Sequence, residues 1–263
     1  MRKLLRLVCA AALLACPILG QPQSVAFTNA RLIPITGPEI ERGTIVVQGG
    51  KITAIGPSAS VRPPAGARIV DMAGKVIMPG LVDTHSHIGG TAGADASGPI
   101  QPEVRLLDSL NVRSASLQRA QAGGITSVNV MPGSGHLNSG QTLYLKLRDN
   151  AVKIDDFLIF DKNGKYMGGM KFANGTNSIR AGGGSFPGTR AKSASLVRTQ
   201  LIKAQEYREK IRKANGDASK MPPRDLAMEA LVEVLEGPRV VHFHPHRHDD
   251  ILTALRLQKE FGF

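Results

Sequence analysis

The chain contains little cysteine and few aromatic residues. Its 263 residues include two cysteines, no tryptophan and 4% aromatic residues in all. Cys9 and Cys16 both lie in an N-terminal segment that we expect to be removed, so disulfides cannot stabilise the mature chain. Without that thiol, and without a Gly-x-Ser-x-Gly motif, cysteine and serine hydrolase chemistry is disfavoured.

Long apolar runs are also scarce, and the one at residues 7–19 is too short to span a bilayer as a helix. It follows a basic start and ends at Gly20, a pattern typical of a secretory signal peptide. We therefore expect residues 1–20 to be cleaved and the protein to be exported, either periplasmic or secreted. The alternative is a lipoprotein anchored through Cys16, because residues 13–16 resemble a bacterial lipidation motif.

Acidic residues are outnumbered, with 21 Asp and Glu against 33 Lys and Arg and a formal net charge of +12. Removing the three basic residues of the signal peptide leaves +9 (12 − 3). The remaining basic residues are scattered or alternate with acids, as in residues 206–210, and no nucleic-acid motif accompanies them. We read this charge as solvated surface and expect no nucleic-acid partner.

Residues 21–77 predict a small β-rich module. Two β-branched runs, residues 43–48 and 51–56, flank Gly49-Gly50. Glycines there predict a hairpin, because a tight turn needs positive φ angles. Another strand is expected near residues 67–71. The module is too small for a deep core of its own.

Residues 78–263 predict an alternation of strands and helices. Such alternation favours a parallel sheet with helices outside, either open or closed into a barrel, and active groups then gather at the carboxyl ends of the strands. The predicted strands after the first are residues 125–130, 170–173 and 240–244, and the predicted helices are residues 102–122, 195–214, 224–236 and 249–260.

His85 and His87 end the apolar strand that follows Pro79-Gly80. Strand side chains alternate between faces, so these two imidazoles project from the same face. Two converging imidazoles can hold a divalent metal such as zinc. Taken alone, the pair also fits two polar residues at a strand end.

Further histidines follow a later strand. His242, His244 and His246 share one parity, so an extended backbone turns all three inward. We take His244 as a metal ligand, His246 or Arg247 as substrate-binding groups, and His242 as a hydrogen-bonded core residue. His136, in a loop, is a candidate for the substrate side, although loop histidines are usually ordinary loop residues. His248 precedes Asp249-Asp250 at a helix start and fits a structural role.

The motifs at residues 79–87 and 244–263 resemble those of the amidohydrolase superfamily, in particular secreted bacterial members similar to imidazolonepropionase and metal-dependent dipeptidases. The resemblance covers residues 27–263. It implies a distorted (β/α)8 TIM-like barrel, here partial with about five βα units, preceded by a composite β-sandwich. It also implies metal binding, most simply of one or two Zn²⁺ ions, by His85, His87 and His244, with a slip from His244 to His246 left open. Lys171 resembles the fourth-strand lysine that many members carboxylate, a reaction that needs a neutral amine.

The implied activity is hydrolysis of an amide, cyclic amide or dipeptide bond in a small-molecule or peptide substrate by metal-activated water. The superfamily's strand-six His and strand-eight Asp have no counterpart here, so no catalytic carboxylate is assigned. We expect an N-terminal fragment that is nearly inactive by itself, with open strand edges that favour oligomerisation or poor solubility. The alternative is a catalytically inactive metal-binding or scaffold protein.

Overall fold

The computed structural model describes residues 24–91, 93, 95–149, 151–180 and 184–263. The predicted signal peptide, with Cys9 and Cys16, lies outside the described residues. The chain divides into two compact units, one ending at Pro79 and one spanning Gly80–Phe263. Its architecture is mixed α/β, as predicted. Within the described ranges, no helix is both long and apolar enough to cross a membrane.

The first unit is a five-stranded sheet in which β1 is central and pairs with β2, β4 and β5. Antiparallel pairing of β2 with β3 confirms the predicted hairpin, and Gly49 and Gly50 turn it at φ 58° and 74°. Ala30, Leu32 and Ile45 form a small buried cluster on this sheet. The strands are β1 (Val25–Leu32), β2 (Ile40–Gln48), β3 (Lys51–Pro57), β4 (Arg68–Asp71) and β5 (Val76–Ile77).

The second unit contains two three-stranded sheets, each with one parallel and one antiparallel pair. One sheet has the order β6-β7-β9 and the other β11-β10-β8. Thr142 lies between β8 and β9. Its backbone N–H donates to the backbone oxygen of Gly169, the first residue of β10. The strands are β6 (Leu81–Ser86), β7 (Ile125–Val130), β8 (Asn138–Gln141), β9 (Leu143–Lys146), β10 (Gly169–Ala173) and β11 (Val240–His244).

Helices pack against the sheet with the order β11-β10-β8. A large apolar cluster joins β10 to the helices through side chains such as Phe172, Leu201, Leu231 and Leu257. Asn215 in the left-handed conformation ends the second helix, and Gly262 in the same conformation ends the fourth. The helices are α1 (Ala115–Ala122), α2 (Arg190–Ala214), α3 (Leu226–Leu235) and α4 (His248–Phe261).

The predicted helix over residues 102–122 is wrong for its first half. Only α1 is α-helical, and it begins after Ser114, whose hydroxyl accepts from the Ser116 N–H. Upstream, Val104 O instead accepts from the backbone N–H of Gln141 in β8. Residues 100–105 therefore lie beside β8, and only a short 3₁₀ turn, Leu106–Asp108, follows before α1.

Candidate metal centre

The first element of the site is the end of β6. His85 is the penultimate residue of β6, and His87 follows the strand directly. Their ring centroids are 5.2 Å apart, with the rings nearly perpendicular. The Nδ1 atom of His87 lies 2.7 Å from Met131 O. A carbonyl only accepts, so this contact places the proton of His87 on Nδ1 and leaves Nε2 free.

Lys171 on β10 is 1% exposed. Its Nζ atom lies 3.3 Å from His85 Nε2 and 3.3 Å from the sulfur of Met131. Burial lowers the pKa of Lys171 to about 8. A substantial fraction of its amine is therefore neutral near pH 8. The structure thus places the predicted lysine beside His85, one member of the predicted histidine pair.

The end of β11 supplies the third element. The ring centroid of His244 lies 6.4 Å from that of His85 and 4.7 Å from that of His246. His244 Nδ1 is 2.6 Å from the hydroxyl of Ser134. Partial burial, together with the charge of Lys171, lowers the pKa of both His85 and His244. Neutral imidazoles, the form that binds metals, are thereby favoured.

His242 lies one layer deeper, opposite Lys171 in the register of β10 and β11. Its Nε2 atom is 3.0 Å from Asn129 Nδ2 and 3.2 Å from the Tyr144 hydroxyl. Burial, with a smaller effect of Lys171, lowers its pKa. The three side chains line a cavity of about 330 Å³ whose other lining residues are apolar except for Asp83, Thr84 and Ser127. The predicted hydrogen bonding of His242 is confirmed, but its side chain is only partly buried and lines this cavity instead of lying in the core.

The three candidate histidines, His85, His87 and His244, differ in how well their ring spacing suits a shared metal ion. Two imidazoles bound to one tetrahedral zinc through nitrogens about 2 Å from it have ring centroids roughly 5 Å apart. The pair His85 and His87 meets that spacing, whereas the ring centroids of His85 and His244 are farther apart, at 6.4 Å. In the described part of the chain, no three His, Cys, Asp or Glu side chains are already arranged to hold an ion. The ligand set therefore stays a prediction.

The remaining candidates lie around or outside this cluster. His246 is exposed beside His244. The Arg247 guanidinium bonds Asp249 instead of facing the histidines. His136 is 4% exposed and packs against Phe186, and neither of its ring nitrogens has a hydrogen-bond partner among the described residues. The structure thus brings His246 to the cluster but not Arg247.

Sequence reasoning missed Met131 and Ser134, which contact Lys171, His87 and His244. Their loop follows β7, and loops after strands carry functional groups in α/β folds. That position was the only available signal, because neither residue type by itself indicates a site.

A solved structure resembles most of this chain. It is an amidohydrolase from Thermotoga maritima MSB8, 34% identical, with a TM-score of 0.81 over 91% of this chain and 62% of its own. No family model matches.

Two curated relatives point to the same class. The amidohydrolase tasK of Hapsidospora irregularis is 28% identical over 84% of this chain and 25% of its own length. The enamidase of Eubacterium barkeri is 33% identical over 39% of this chain and 22% of its own. The resemblance to the amidohydrolase superfamily, hydrolases acting on carbon–nitrogen bonds, is confirmed. The chain spans about a quarter of the length of these two relatives.

Proposed function

We propose that this chain is part of a metal-dependent hydrolase that cleaves a carbon–nitrogen bond in an amide, cyclic amide or dipeptide. The relatives with amidohydrolase and enamidase activities in their names support the reaction class. The observation that carries the proposal is the grouping of His87 and His244 around His85, whose Nε2 lies 3.3 Å from the buried amine of Lys171.

In this proposal His85, His87 and His244 hold a divalent cation, with zinc as the first candidate for nitrogen ligands. When bound, such an ion polarises a carbonyl and lowers the pKa of water. The chain's own contribution is to keep the imidazoles neutral and oriented. Partial burial and neighbouring positive charge do the first, and the hydrogen bonds of His87 and His244 do the second.

The chemistry of Lys171 allows two roles in the site. Its neutral amine could add to carbon dioxide with release of a proton, and the resulting carbamate would supply oxygen ligands for a divalent ion. Otherwise it remains a free amine beside His85 and hydrogen-bonds His85 Nε2. The lowered pKa of about 8 supports the first role, because only the neutral amine reacts.

We place His246 on the substrate side, since it is exposed beside His244. His136 and Arg247 stay secondary candidates for substrate binding. The catalytic carboxylate is not assigned. We further propose that the strands of the second unit belong to a partial (β/α)8 barrel, with the first unit as part of a composite sandwich. The basic and apolar pattern of residues 2–20 supports export.

The test compares this chain with the open reading frame that contains it. Metal content is measured by elemental analysis, and turnover on a panel of dipeptides, lactams and linear amides. We expect about stoichiometric zinc in both proteins and hydrolysis by the longer one. Metal binding without turnover by the longer protein would favour the inactive scaffold. Absence of metal from both, after growth and purification with added zinc, would overturn the proposal.

A further inference from the structure

The loop Met131–Ser134 contacts three of the four proposed ligands. Met131 O accepts from His87 Nδ1 at 2.7 Å, and Met131 Sδ lies 3.3 Å from Lys171 Nζ. The Ser134 hydroxyl lies 2.6 Å from His244 Nδ1. One short loop after β7 therefore contacts side chains that come from β6, β10 and β11.

This loop is itself held in place. The Met131 N–H donates to Ser86 O at 2.9 Å, at the end of β6. Gly133 O accepts from the Ser139 hydroxyl at 2.6 Å, and Ser139 is 3% exposed. Met131 is fully buried. The loop is thus fixed to the same strand end that carries the histidine pair, and it is held independently of any contact to the ligands.

We propose that Ser134 and Met131 are positioning residues for the metal centre, and that Ser134 sets the tautomer of His244. The inference rests on the proposed function. In it, His244 donates its Nδ1 proton to the Ser134 oxygen, so that Nε2 carries the free lone pair and points away from the loop. His87 is held in the same tautomer by Met131 O. Metal-binding histidines usually have such a hydrogen bond at the nitrogen away from the ion.

The tautomer of His244 distinguishes this proposal from a merely structural hydrogen bond. A serine hydroxyl both donates and accepts, so Ser134 is equally able to donate to an unprotonated Nδ1. His244 would then carry its proton on Nε2 and could not bind a metal there. Long-range ¹H–¹⁵N correlation spectra of the metal-free protein, with His244 assigned through a His244→Gln variant, separate the two arrangements. We expect the Nδ1–H form for His87 and His244.

The second measurement is the affinity for Zn²⁺ and Co²⁺, by competition with a chromophoric chelator. Removing an outer hydrogen bond of this kind typically costs about 10–100-fold in metal affinity, and we expect that loss in Ser134→Ala. Ser134→Thr keeps the hydroxyl and should restore most of the affinity. Ser193→Ala is the matched control, because the Ser193 hydroxyl is buried and donates to the backbone oxygen of Thr189, the N-cap of its own helix, far from the proposed ligands in its hydrogen bonding.

Thermal melting of the metal-free variants shows whether Ser134→Ala merely destabilises the fold. The proposal predicts little change in melting together with a mixed tautomer of His244 in Ser134→Ala. Wild-type affinity in Ser134→Ala, or an Nε2–H tautomer of His244 in the wild type, would overturn it while leaving the metal site intact. A wild-type chain that binds neither ion would instead remove the proposed function, and this inference with it.

Discussion

Lys171 Nζ lies 3.3 Å from Nε2 of His85, although the lysine is 1% exposed and its strand is separate from that of the histidine. An amine buried against an imidazole and a thioether costs free energy when charged, because little solvent compensates it. This cost is understandable if the amine serves the site.

Replacing Lys171 by Met tests whether the buried amine lowers the stability of the fold while contributing to metal binding. We expect the metal-free variant to gain about 1–3 kcal/mol of unfolding free energy, measured in urea, because a buried ionisable group becomes an apolar one of similar length. Bound metal should fall. Lys203→Met on the exposed face of α2 is the control and should change stability by less than about 0.5 kcal/mol. A Lys171→Met variant that is destabilised and keeps its metal would contradict this account.

The histidine pair of β6 allows a direct test of metal binding. We expect the double variant His85→Ala/His87→Ala to lose nearly all bound zinc, as measured by elemental analysis after dialysis, because two of the proposed ligands disappear. His248→Ala removes an exposed histidine at the start of α4 and should leave the zinc content unchanged. Full metal content in the double variant would remove the assignment.

Much of the fold was predictable from local patterns. The β2–β3 hairpin follows from two β-branched runs around Gly49-Gly50, and the end of α2 follows from Asn215-Gly216. Strand β8, which pairs with β10, was missed because Asn138, Ser139 and Gln141 show no apolar alternation. They are buried polar residues whose strand pairing is a tertiary effect.

The same residues explain the wrong helix over residues 102–113. Gly140, at φ 107°, brings its backbone so close to Val104 that a Cβ there would lie 2.4 Å from Val104 O. Pairing between distant segments thus overrides the helical tendency of the sequence around Val104.

The site was likewise only partly predictable from the local sequence. Strand parity predicted that His85 and His87 share a face. The position of His242 two residues before His244 along the strand predicted that it lies deeper. Parity carries no information about which loop reaches the histidines. The contacts of Met131 and Ser134 depend on how β7 lies beside β6 and are set by tertiary structure.

The two histidines of β11 should respond differently to substitution. We expect His244→Ala to lower the zinc content sharply with little change in stability. His242→Leu should keep the zinc but lose about 1–3 kcal/mol of unfolding free energy, because Asn129 and Tyr144 lose their hydrogen-bond partner. Elemental analysis and urea unfolding on the same preparations give both values. The reverse pattern would place the ligand at His242.

Asp250 connects the start of α4 to the loop that carries His246, and it gives the fold a specific dependence on pH. Its carboxylate accepts from the N–H groups of His246 and Arg247 and from Arg190 Nε at 2.8 Å. Burial opposes ionisation, but the hydrogen bond from Arg190 and those from the backbone outweigh it and lower the pKa of Asp250. The stabilisation is therefore present above the unfolded-state pKa of about 3.8 and is lost as the pH falls through the lower folded-state pKa.

We accordingly expect Asp250→Asn to cost about 2 kcal/mol at pH 7, since hydrogen bonds to a charged group are lost. This cost should shrink as unfolding is measured at successively lower pH, because the wild-type carboxyl is then protonated too. Asp249→Asn, next in the chain and paired with Arg247 at the surface, is the control and should change the unfolding free energy much less than Asp250→Asn does. A cost for Asp250→Asn that stays constant from pH 7 to pH 3 would show that the side chain acts through its shape, and that its charge does not hold the His246 loop.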